Sequence, residues 1–288
     1  MITLNRMPNR IATATLPKTD HRTRSARCPI VLIQTPYLLL EDSELRVVET
    51  VRRQYPNLRI QASTNSFAAT EMVAVYAVAL KQQKYLAENL RFEIHELKPR
   101  PGDIRRMIRF YDDLVADGED KDRTAKRPAF SSRAAPKIGL HCKSFVVDDK
   151  VAWVGSHNFD PRSGRWNTES ALAVWDERVA RALKESMLGY MAPQNSWLVA
   201  RRRHLPILGA GTKWIENVSR ALPVLDIWPT FYTTCYQLRP GQEPVPPDDP
   251  HFHEHYKAVG HFPQEGFSWR RVKARLYLAF GGLAEGLL

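Results

Sequence analysis

Short apolar runs alternate with helical stretches through the first two thirds of the chain, and this alternation predicts its elements. Brief runs rich in β-branched residues predict strands: Ile30–Ile33, Leu58–Ala62, Phe92–Leu97, Leu140–Val147, Val151–Gly155 and Glu169–Trp175. Apolar residues on one face predict helices: Glu41–Gln54, Ala68–Leu90 and Asp176–Leu188. Strands that alternate with helices predict an α/β or α+β layered domain.

The periodicity divides the chain into three parts. Residues 1–28 alternate basic and small polar residues, which predicts a poorly ordered basic arm. Residues 29–197 carry the predicted elements, with a long loop or insertion at 99–137 that holds a short helix near Ile104–Leu114. Residues 198–288 contain a Pro-rich loop and end in an amphipathic pattern, which predicts an extension that could contact a membrane or a partner.

Composition and charge narrow the class of function. A hydrophobic fraction of 43% over 288 residues excludes a disordered, collagenous or coiled-coil chain. The net charge of +11 favours an anionic partner, namely nucleic acid, a phospholipid surface or a phosphorylated substrate. Three scattered cysteines indicate a reducing compartment. No apolar run approaches the ~20 residues that span a bilayer, so the sequence predicts a soluble or peripheral protein.

Candidate chemistry is concentrated between His141 and Glu169. His141 and Lys143 lie two apart on a predicted strand, and side chains two apart share one face. Ser156 follows the next predicted strand directly, after Gly155. An imidazole, an ammonium, a hydroxyl, an amide and a carboxylate could therefore converge at one sheet edge. Such a group can bind a phosphodiester and attack it through a neutral imidazole, and this chemistry requires no metal or other cofactor.

The pattern H-x-K-x4-D-x6-G-S-x-N resembles the signature of the phospholipase D superfamily, which is called the HKD motif. Every fixed position is matched, by His141, Lys143, Asp148, Gly155, Ser156 and Asn158. The flanking Asn158–Ser163 and Asn167–Glu169 segments are similar to the second catalytic half of bacterial cardiolipin synthases and related phosphatidyltransferases. The resemblance covers residues 29–197 and implies a mixed β-sheet flanked by helices, which is one half of the usual two-half arrangement.

The resemblance also implies roles for individual residues. The catalytic set is His141, Lys143, Asp148 and Glu169. His141 would form a phosphohistidine or act as acid and base, with Glu169 orienting it, and Asp148 would support its turn more than touch substrate. The phosphate would be held by Lys143, Ser156 and Asn158. Further contacts with substrate are expected from Tyr37 and Asn65.

The chain carries one such motif, whereas the family's complete site uses two. His95-Glu-Leu-Lys98 has the wrong spacing, and His255-Tyr-Lys257 lacks the Asp and the Gly-Ser that should follow. Three alternatives remain: a homodimer, pairing with a separate HKD half, or a truncated and inactive half-domain. The main expectation is a phosphatidyltransferase or phosphodiesterase acting on anionic phospholipid, cytoplasmic and peripherally attached to the bacterial inner membrane. The main alternative is a homodimeric, metal-independent nuclease.

Three neighbouring features have plainer interpretations. Alternation predicts that Cys142 points away from His141 into the core, and that His157 lies off the site. The histidines at 251, 253, 255 and 261 lack the ligand spacing of a zinc site and are interpreted as a polar loop.

Overall fold

The computed structural model describes residues 2–3, 29–115, 137–202 and 232–263. The described strands are β1 Ile2–Thr3, β2 Ile30–Gln34, β3 Arg59–Asn65, β4 Phe92–Leu97, β5 Ser144–Val147, β6 Val151–Gly155, β7 Ser170–Val174, β8 Ser196–Arg201, β9 Thr233–Leu238 and β10 Tyr256–Gly260. The helices with defined bounds are α1 Asp42–Gln54, α2 Val73–Glu88, α3 Ile104–Met107, α4 Pro161–Arg165, α5 Glu177–Met191 and α6 Phe252–His255.

These strands form one mixed ten-stranded sheet in the order β1-β7-β6-β5-β2-β3-β4-β8-β9-β10. The three central strands, β2, β3 and β4, run parallel to one another. The strands on either side of them pair antiparallel, as β2 does with β5 and β4 does with β8. The expected α/β class and helix-flanked mixed sheet are confirmed.

Helices cover both faces of the sheet. On one face Ile60, Phe92 and Ile94 pack in a core with Leu86 of α2, and Leu45, Val48 and Val51 of α1 pack against it. On the other face Leu32 and Val146 pack beneath Ala180, Met187 and Met191 of α5. β2 is covered on both faces, because Ile33 packs in one core and Leu32 in the other, which explains why it reads as an apolar run rather than as a strict alternation.

Local signals set where the long helices begin. At α1 a reciprocal capping box joins Glu41 and Glu44, and the Glu44 carboxylate accepts a hydrogen bond of 2.8 Å from the Glu41 backbone N–H. At α5 the Asp176 side chain caps the backbone N–H groups of Arg178 and Val179. The helix predicted from Ala68 begins instead at Val73, because residues 66–70 form a turn in which Ala69 and Thr70 bond back to Ser66.

Most predicted elements are confirmed within a few residues, but the domain boundary is different. The expected boundary after residue 197 falls inside β8, and β9 and β10 extend the same sheet. The first part of the expected basic arm, Ile2–Thr3, pairs with β7, whereas residues 4–28 lie outside the described residues. The amphipathic segment at 268–288 also lies outside them. The predicted helix at 104–114 is α3 followed by a separate helical stretch from residue 111.

Candidate active site

The predicted motif lies where β5 and β6 meet at one end of the sheet. The expected strand from Leu140 begins only at Ser144, so His141 and Lys143 lie in the segment that leads into β5. The backbone N–H of Gly155, at the end of β6, donates to the carbonyl of Lys143 at 3.0 Å. This hydrogen bond places the H-x-K segment directly beside the Gly-Ser segment.

Lys143 is folded back onto His141. Its ammonium Nζ lies 3.0 Å from His141 Nδ1 and 3.2 Å from Nε2, and it donates to the His141 carbonyl at 2.8 Å. Lys143 is 9% exposed whereas His141 is exposed, so the imidazole faces solvent over a mostly buried cation. Burial lowers the pKa of Lys143, and the charges of Glu169 and Asp160 oppose this shift. The pair thus combines Lys143, a mostly buried hydrogen-bond donor, with His141, an exposed candidate nucleophile.

Asn65, at the end of β3, holds the segment that precedes His141. Its amide donates to the carbonyl of Leu140 at 2.9 Å and accepts from the Leu140 backbone N–H at 2.7 Å. It also donates to the carbonyl of Pro36 at 3.3 Å and is 4% exposed. The Asn65 side chain is buried and bonded to backbone, so it positions the chain at the entrance to the motif. Its expected contact with substrate remains a prediction.

Ser156 and Glu169 form a second arm of the site. The Ser156 hydroxyl donates to the Glu169 carboxylate and accepts from the Ser170 backbone N–H at 3.0 Å. Asn167 donates to the other carboxylate oxygen at 3.2 Å. Burial pushes the pKa of Glu169 upward, but the hydrogen bonds from Ser156, Ser163 and Asn167 outweigh it and lower the pKa. Glu169 therefore stays ionised beside the phosphate-binding candidates.

The expected hydrogen bond between Glu169 and His141 is not formed. Within the described ranges the hydrogen-bond partners of the Glu169 carboxylate are Ser156, Ser163 and Asn167, and the side-chain partner of His141 is Lys143. The sequence expectation placed Glu169 and His141 at one sheet edge, and their joint action in the site remains a prediction. The spacing could not distinguish a carboxylate that orients the histidine from one that orients the serine.

Asn158 lies in the loop after β6 with its backbone N–H bonded to the Ser163 hydroxyl at 3.1 Å. Its side-chain Oδ1 is buried and has no hydrogen-bond partner among the described residues. Asp160 caps α4 by accepting from the Ser163 backbone N–H at 2.8 Å, which fixes the loop that carries Asn158. An unpaired buried polar atom is costly, and such atoms often mark a functional position.

Asp148 lies at the far end of β5, in the turn to β6. Its backbone N–H donates to the Ile30 carbonyl at 2.8 Å, and its carboxylate accepts from the Ile30 N–H at 2.8 Å. Its φ of +46° is in the left-handed region, which Asp tolerates better than most residues. β5 lies between Asp148 and His141, so the two residues lie toward opposite ends of that strand. Asp148 thus supports its turn and is not in contact with the other catalytic candidates.

Tyr37 packs its ring near Leu39, Val75 and Val78, beneath the loop after β2. Burial raises the pKa of its phenol, and the charges of Glu71 and Asp160 add to the shift. Tyr37 also lines a small cavity together with Thr64, Asn65 and Glu96. Its expected contact with substrate remains a prediction.

Two side chains next to the motif differ from the simple alternation. Cys142 is exposed, not buried in the core as expected, because the segment before β5 does not follow a strand's alternation. His157 lies off the His141–Lys143 pair, as expected, and its Nε2 is 3.0 Å from the Glu44 carboxylate of α1. Burial lowers the pKa of His157, whereas the hydrogen bond and the charge of Glu44 raise it. The net result is a pKa above the ordinary value of histidine. Sequence reasoning missed this ion pair because its partners lie 113 residues apart with no local signal.

In the ranges that the structure describes, no three His, Cys, Asp or Glu side chains are grouped as metal ligands. Of the histidines expected in a polar loop, His251, His253 and His255 lie at the short helix α6, where His251 pairs with Glu254 at 3.2 Å, and His261 follows β10. Among the described helices, none is long and apolar enough to cross a membrane.

Part of the chain is similar to a known family of domains. Residues 69–190 match the family model described as the cardiolipin synthase, PLD-like domain. The segment from His141 to Glu169 lies within the matched residues.

Several curated relatives are cardiolipin synthases. Cardiolipin synthase C of Escherichia coli is 28% identical over 144 residues, which are 49% of this chain and 26% of that protein. Cardiolipin synthase 2 of Staphylococcus epidermidis is 45% identical over 87 residues, which are 30% of this chain and 17% of that protein. The matched part thus spans about a quarter or less of these relatives.

Two solved structures resemble part of this chain, each with a low TM-score. The phospholipase D family member Nuc of Salmonella typhimurium has a TM-score of 0.34 at 13% identity, covering 56% of this chain and 76% of that one. The phosphatidylserine synthase of Haemophilus influenzae has a TM-score of 0.38 at 13% identity, covering 67% of this chain and 39% of that one.

Proposed function

We propose that this chain supplies one half of an active site that transfers or hydrolyses the phosphodiester of anionic phospholipids. One observation carries the proposal: the 3.0 Å bond from Gly155 N–H to the Lys143 carbonyl sets the His141–Lys143 pair beside Ser156. This contact supports a site in which a nucleophile, a cation and a hydroxyl act on one phosphate, which is a set of groups suited to phosphoryl transfer without a metal.

The reaction needs a second histidine. An imidazole nitrogen of His141 forms a bond to phosphorus while the phosphorus–oxygen bond to the leaving alcohol breaks. The departing alkoxide takes a proton from a second imidazole, supplied by another copy of this chain or by a partner HKD half. Water or an alcohol then gives its proton to that imidazole and attacks phosphorus, which releases His141. The transferred group ends as a phosphomonoester or as a new phosphodiester.

The remaining residues act on the phosphate. Lys143 can turn its ammonium from the His141 ring to a non-bridging oxygen, and Ser156 and Asn158 provide a hydroxyl and an amide nearby. Glu169 holds the Ser156 hydroxyl and keeps negative charge near the imidazolium, so its proposed role is to position Ser156 and to favour the cationic states of the site.

The lipid substrate is proposed from the relatives and the charge. Several curated relatives are named as cardiolipin synthases, and the net charge of +11 suits an anionic surface. Because the matched part is a quarter or less of those relatives, the acceptor alcohol and the peripheral attachment to the cytoplasmic face of a membrane are also proposals.

The test uses vesicles that contain phosphatidylglycerol, with cardiolipin and phosphatidic acid as the measured products. We expect His141→Ala to lower turnover by at least ~10³-fold, because the proposed nucleophile is lost. His251→Ala is the matched control, since His251 is exposed and distant in sequence from the motif. Full turnover by His141→Ala would contradict the proposal.

The second half is tested by mixing subunits. If two copies each supply one His141, activity in mixtures of wild-type and His141→Ala chains should fall with the square of the wild-type fraction. A linear fall would indicate a self-sufficient chain. A monomeric mass with no activity on lipid or nucleic acid would support an inactive half-domain instead.

A second candidate is a homodimeric nuclease, which the charge of +11 and the single motif favour. Contacts to phosphates release counterions, so cleavage of DNA or RNA would weaken steeply with rising salt. Salt-sensitive nucleic-acid cleavage without lipid turnover would replace the lipid proposal.

A further inference from the structure

Four polar side chains lie side by side across the sheet, beneath α5. Ser144 of β5 pairs with Gln34 of β2, Gln34 pairs with Ser63 of β3, and Ser63 pairs with His95 of β4. Directly paired residues point to the same face of a sheet. We refer to Ser144, Gln34, Ser63 and His95 as the polar row.

The polar row is enclosed, yet each of its members has an unpaired polar atom. Gln34, Ser63 and Ser144 are 3%, 0% and 2% exposed. Gln34 Nε2, the two serine Oγ atoms and His95 Nε2 are buried and have no hydrogen-bond partner among the described residues. A buried donor or acceptor without a partner costs roughly 1–3 kcal/mol, so four on adjacent strands would be a large penalty in one place.

The surroundings show that the polar row is not exposed to bulk solvent. Leu32 and Val146 lie two residues along β2 and β5 on the same face, and they pack with Met187 and Met191 of α5. Val154, which pairs with Ser144 from β6, is 50% exposed. The polar row is therefore covered at Ser144, Gln34 and Ser63, whereas His95 at its other end is half-buried.

The protonation state of His95 determines which atoms of the polar row donate hydrogen bonds and which accept them. Burial lowers its pKa to about 4, and its ring bonds to the backbone of Met191, the last residue of α5. Because the described residues leave Nε2 unpaired, the bond to Met191 belongs to Nδ1–H, and Nε2 is a neutral acceptor. Gln34 Nε2 is a donor, and both serine hydroxyls can donate or accept.

We propose that the polar row is a built hydration site, in which ordered water molecules bridge Ser144, Gln34, Ser63 and His95 beneath α5. Strands spaced ~4.8 Å apart separate neighbouring side-chain tips enough for a bridging water. Each water would have two or three polar partners, as buried waters in proteins generally do. This inference is independent of the proposed catalytic function.

Denaturant unfolding of the full chain tests the proposal. Removing a hydroxyl that anchors a water should raise the unfolding equilibrium constant about tenfold for Ser63→Ala and for Ser144→Ala. Removing a hydroxyl that truly lacks a partner would leave it unchanged or lower it. Ser66→Ala is the control, because Ser66 is also buried with an unpaired Oγ but lies outside the polar row.

A double-mutant cycle tests whether one chain of waters connects Ser63 and Ser144. Ser63 and Ser144 are separated by β2 and lie about 10 Å apart, a distance at which effects normally add. A shared chain of waters predicts that the double variant loses clearly less than the product of the single effects. The proposal would be overturned if the effects of the two single variants on the unfolding equilibrium constant simply multiplied in the double variant. It would also be overturned if Ser66→Ala lost as much stability, or if Ser63→Ala or Ser144→Ala gained stability.

A crystal structure of the chain at a resolution that shows waters provides the direct measurement. We expect density peaks within hydrogen-bond distance of Ser63 Oγ and His95 Nε2. Direct hydrogen bonds between the four side chains, with no peak between them, would also overturn the proposal.

Discussion

The side-chain amide of Asn65 is paired with the peptide of Leu140, through hydrogen bonds of 2.9 and 2.7 Å. The two residues are 75 positions apart, and the second lies immediately before His141. Asn65, at the end of β3, thereby fixes the backbone just before the H-x-K segment. The position of the candidate nucleophile His141 therefore depends on a side chain that is itself buried.

This dependence predicts the effect of Asn65→Asp. A carboxylate can accept from the Leu140 N–H, but it cannot donate to the carbonyls of Leu140 and Pro36. We expect a loss of about 2–3 kcal/mol in the free energy of unfolding, and a further loss of turnover per folded molecule. Denaturant unfolding and lipid turnover measure the two effects.

Gln61→Ala is the matched control for that variant. Gln61 is a buried amide on the same strand, but it bonds to Glu93 at 2.7 Å, away from the motif. It should lose stability while retaining turnover per folded molecule. Equal turnover by Asn65→Asp and wild type would show that Asn65 does not position the site.

Gly155 gives a second test, because β6 and β7 approach each other closely there. A Cβ on Gly155 would lie 2.7 Å from the Ser170 carbonyl oxygen and 2.8 Å from Ala171 Cβ. Relief requires the two strands to separate, which would pull Ser156 from Glu169. We expect Gly155→Ala to cost about 1–3 kcal/mol and to lower turnover, as measured by unfolding and by the vesicle assay.

Gly189→Ala is its control. Gly189 lies within α5, and a Cβ there meets nothing within 4 Å. Alanine in a helix is favoured over glycine by about 1 kcal/mol, so this variant should be more stable with unchanged turnover. If Gly155→Ala behaved like Gly189→Ala, the close approach at β6 and β7 would have no functional consequence.

The sequence predicts much of this architecture and less of the site's internal geometry. The alternating segment Phe92–Leu97 and the apolar run Val151–Gly155 are strands with those same bounds. β8 and β9 were missed because Trp197–Ala200 is a very short run and Thr233–Leu238 is rich in polar residues. Their burial comes from pairing in the sheet, which no local pattern records.

Within the site, spacing correctly brought His141, Lys143 and Ser156 together. It did not predict that Glu169 bonds to Ser156, or that Asn65 bonds to Leu140, because both depend on how separate strand ends meet. Alternation also failed for Cys142, since it assumes a regular strand and β5 begins two residues later. A single sequence therefore predicts which side chains the motif supplies, but it does not predict which hydrogen bonds form between separate strands.

A last prediction concerns the buried carboxyl of Glu96, which is 1% exposed. It accepts hydrogen bonds at 3.0 Å from the Tyr76 hydroxyl and the Gln83 amide, and at 3.2 Å from the Cys235 thiol. Burial raises the pKa of Glu96 to about 7, and the three hydrogen bonds hold it below a still higher value. The folded chain therefore binds this proton more tightly than the unfolded chain.

The sign of the pH dependence follows from linkage. Between the ordinary pKa of Glu and about 7 the folded state holds more protons, so stability falls as the pH rises. The contribution is complete below the unfolded pKa and is lost as the pH passes the folded pKa near 7, by up to about 3 kcal/mol. Glu96→Gln removes the titration and should flatten that slope. Unfolding free energies measured from pH 4 to 8 check this, and an unchanged slope in Glu96→Gln would show that another group titrates.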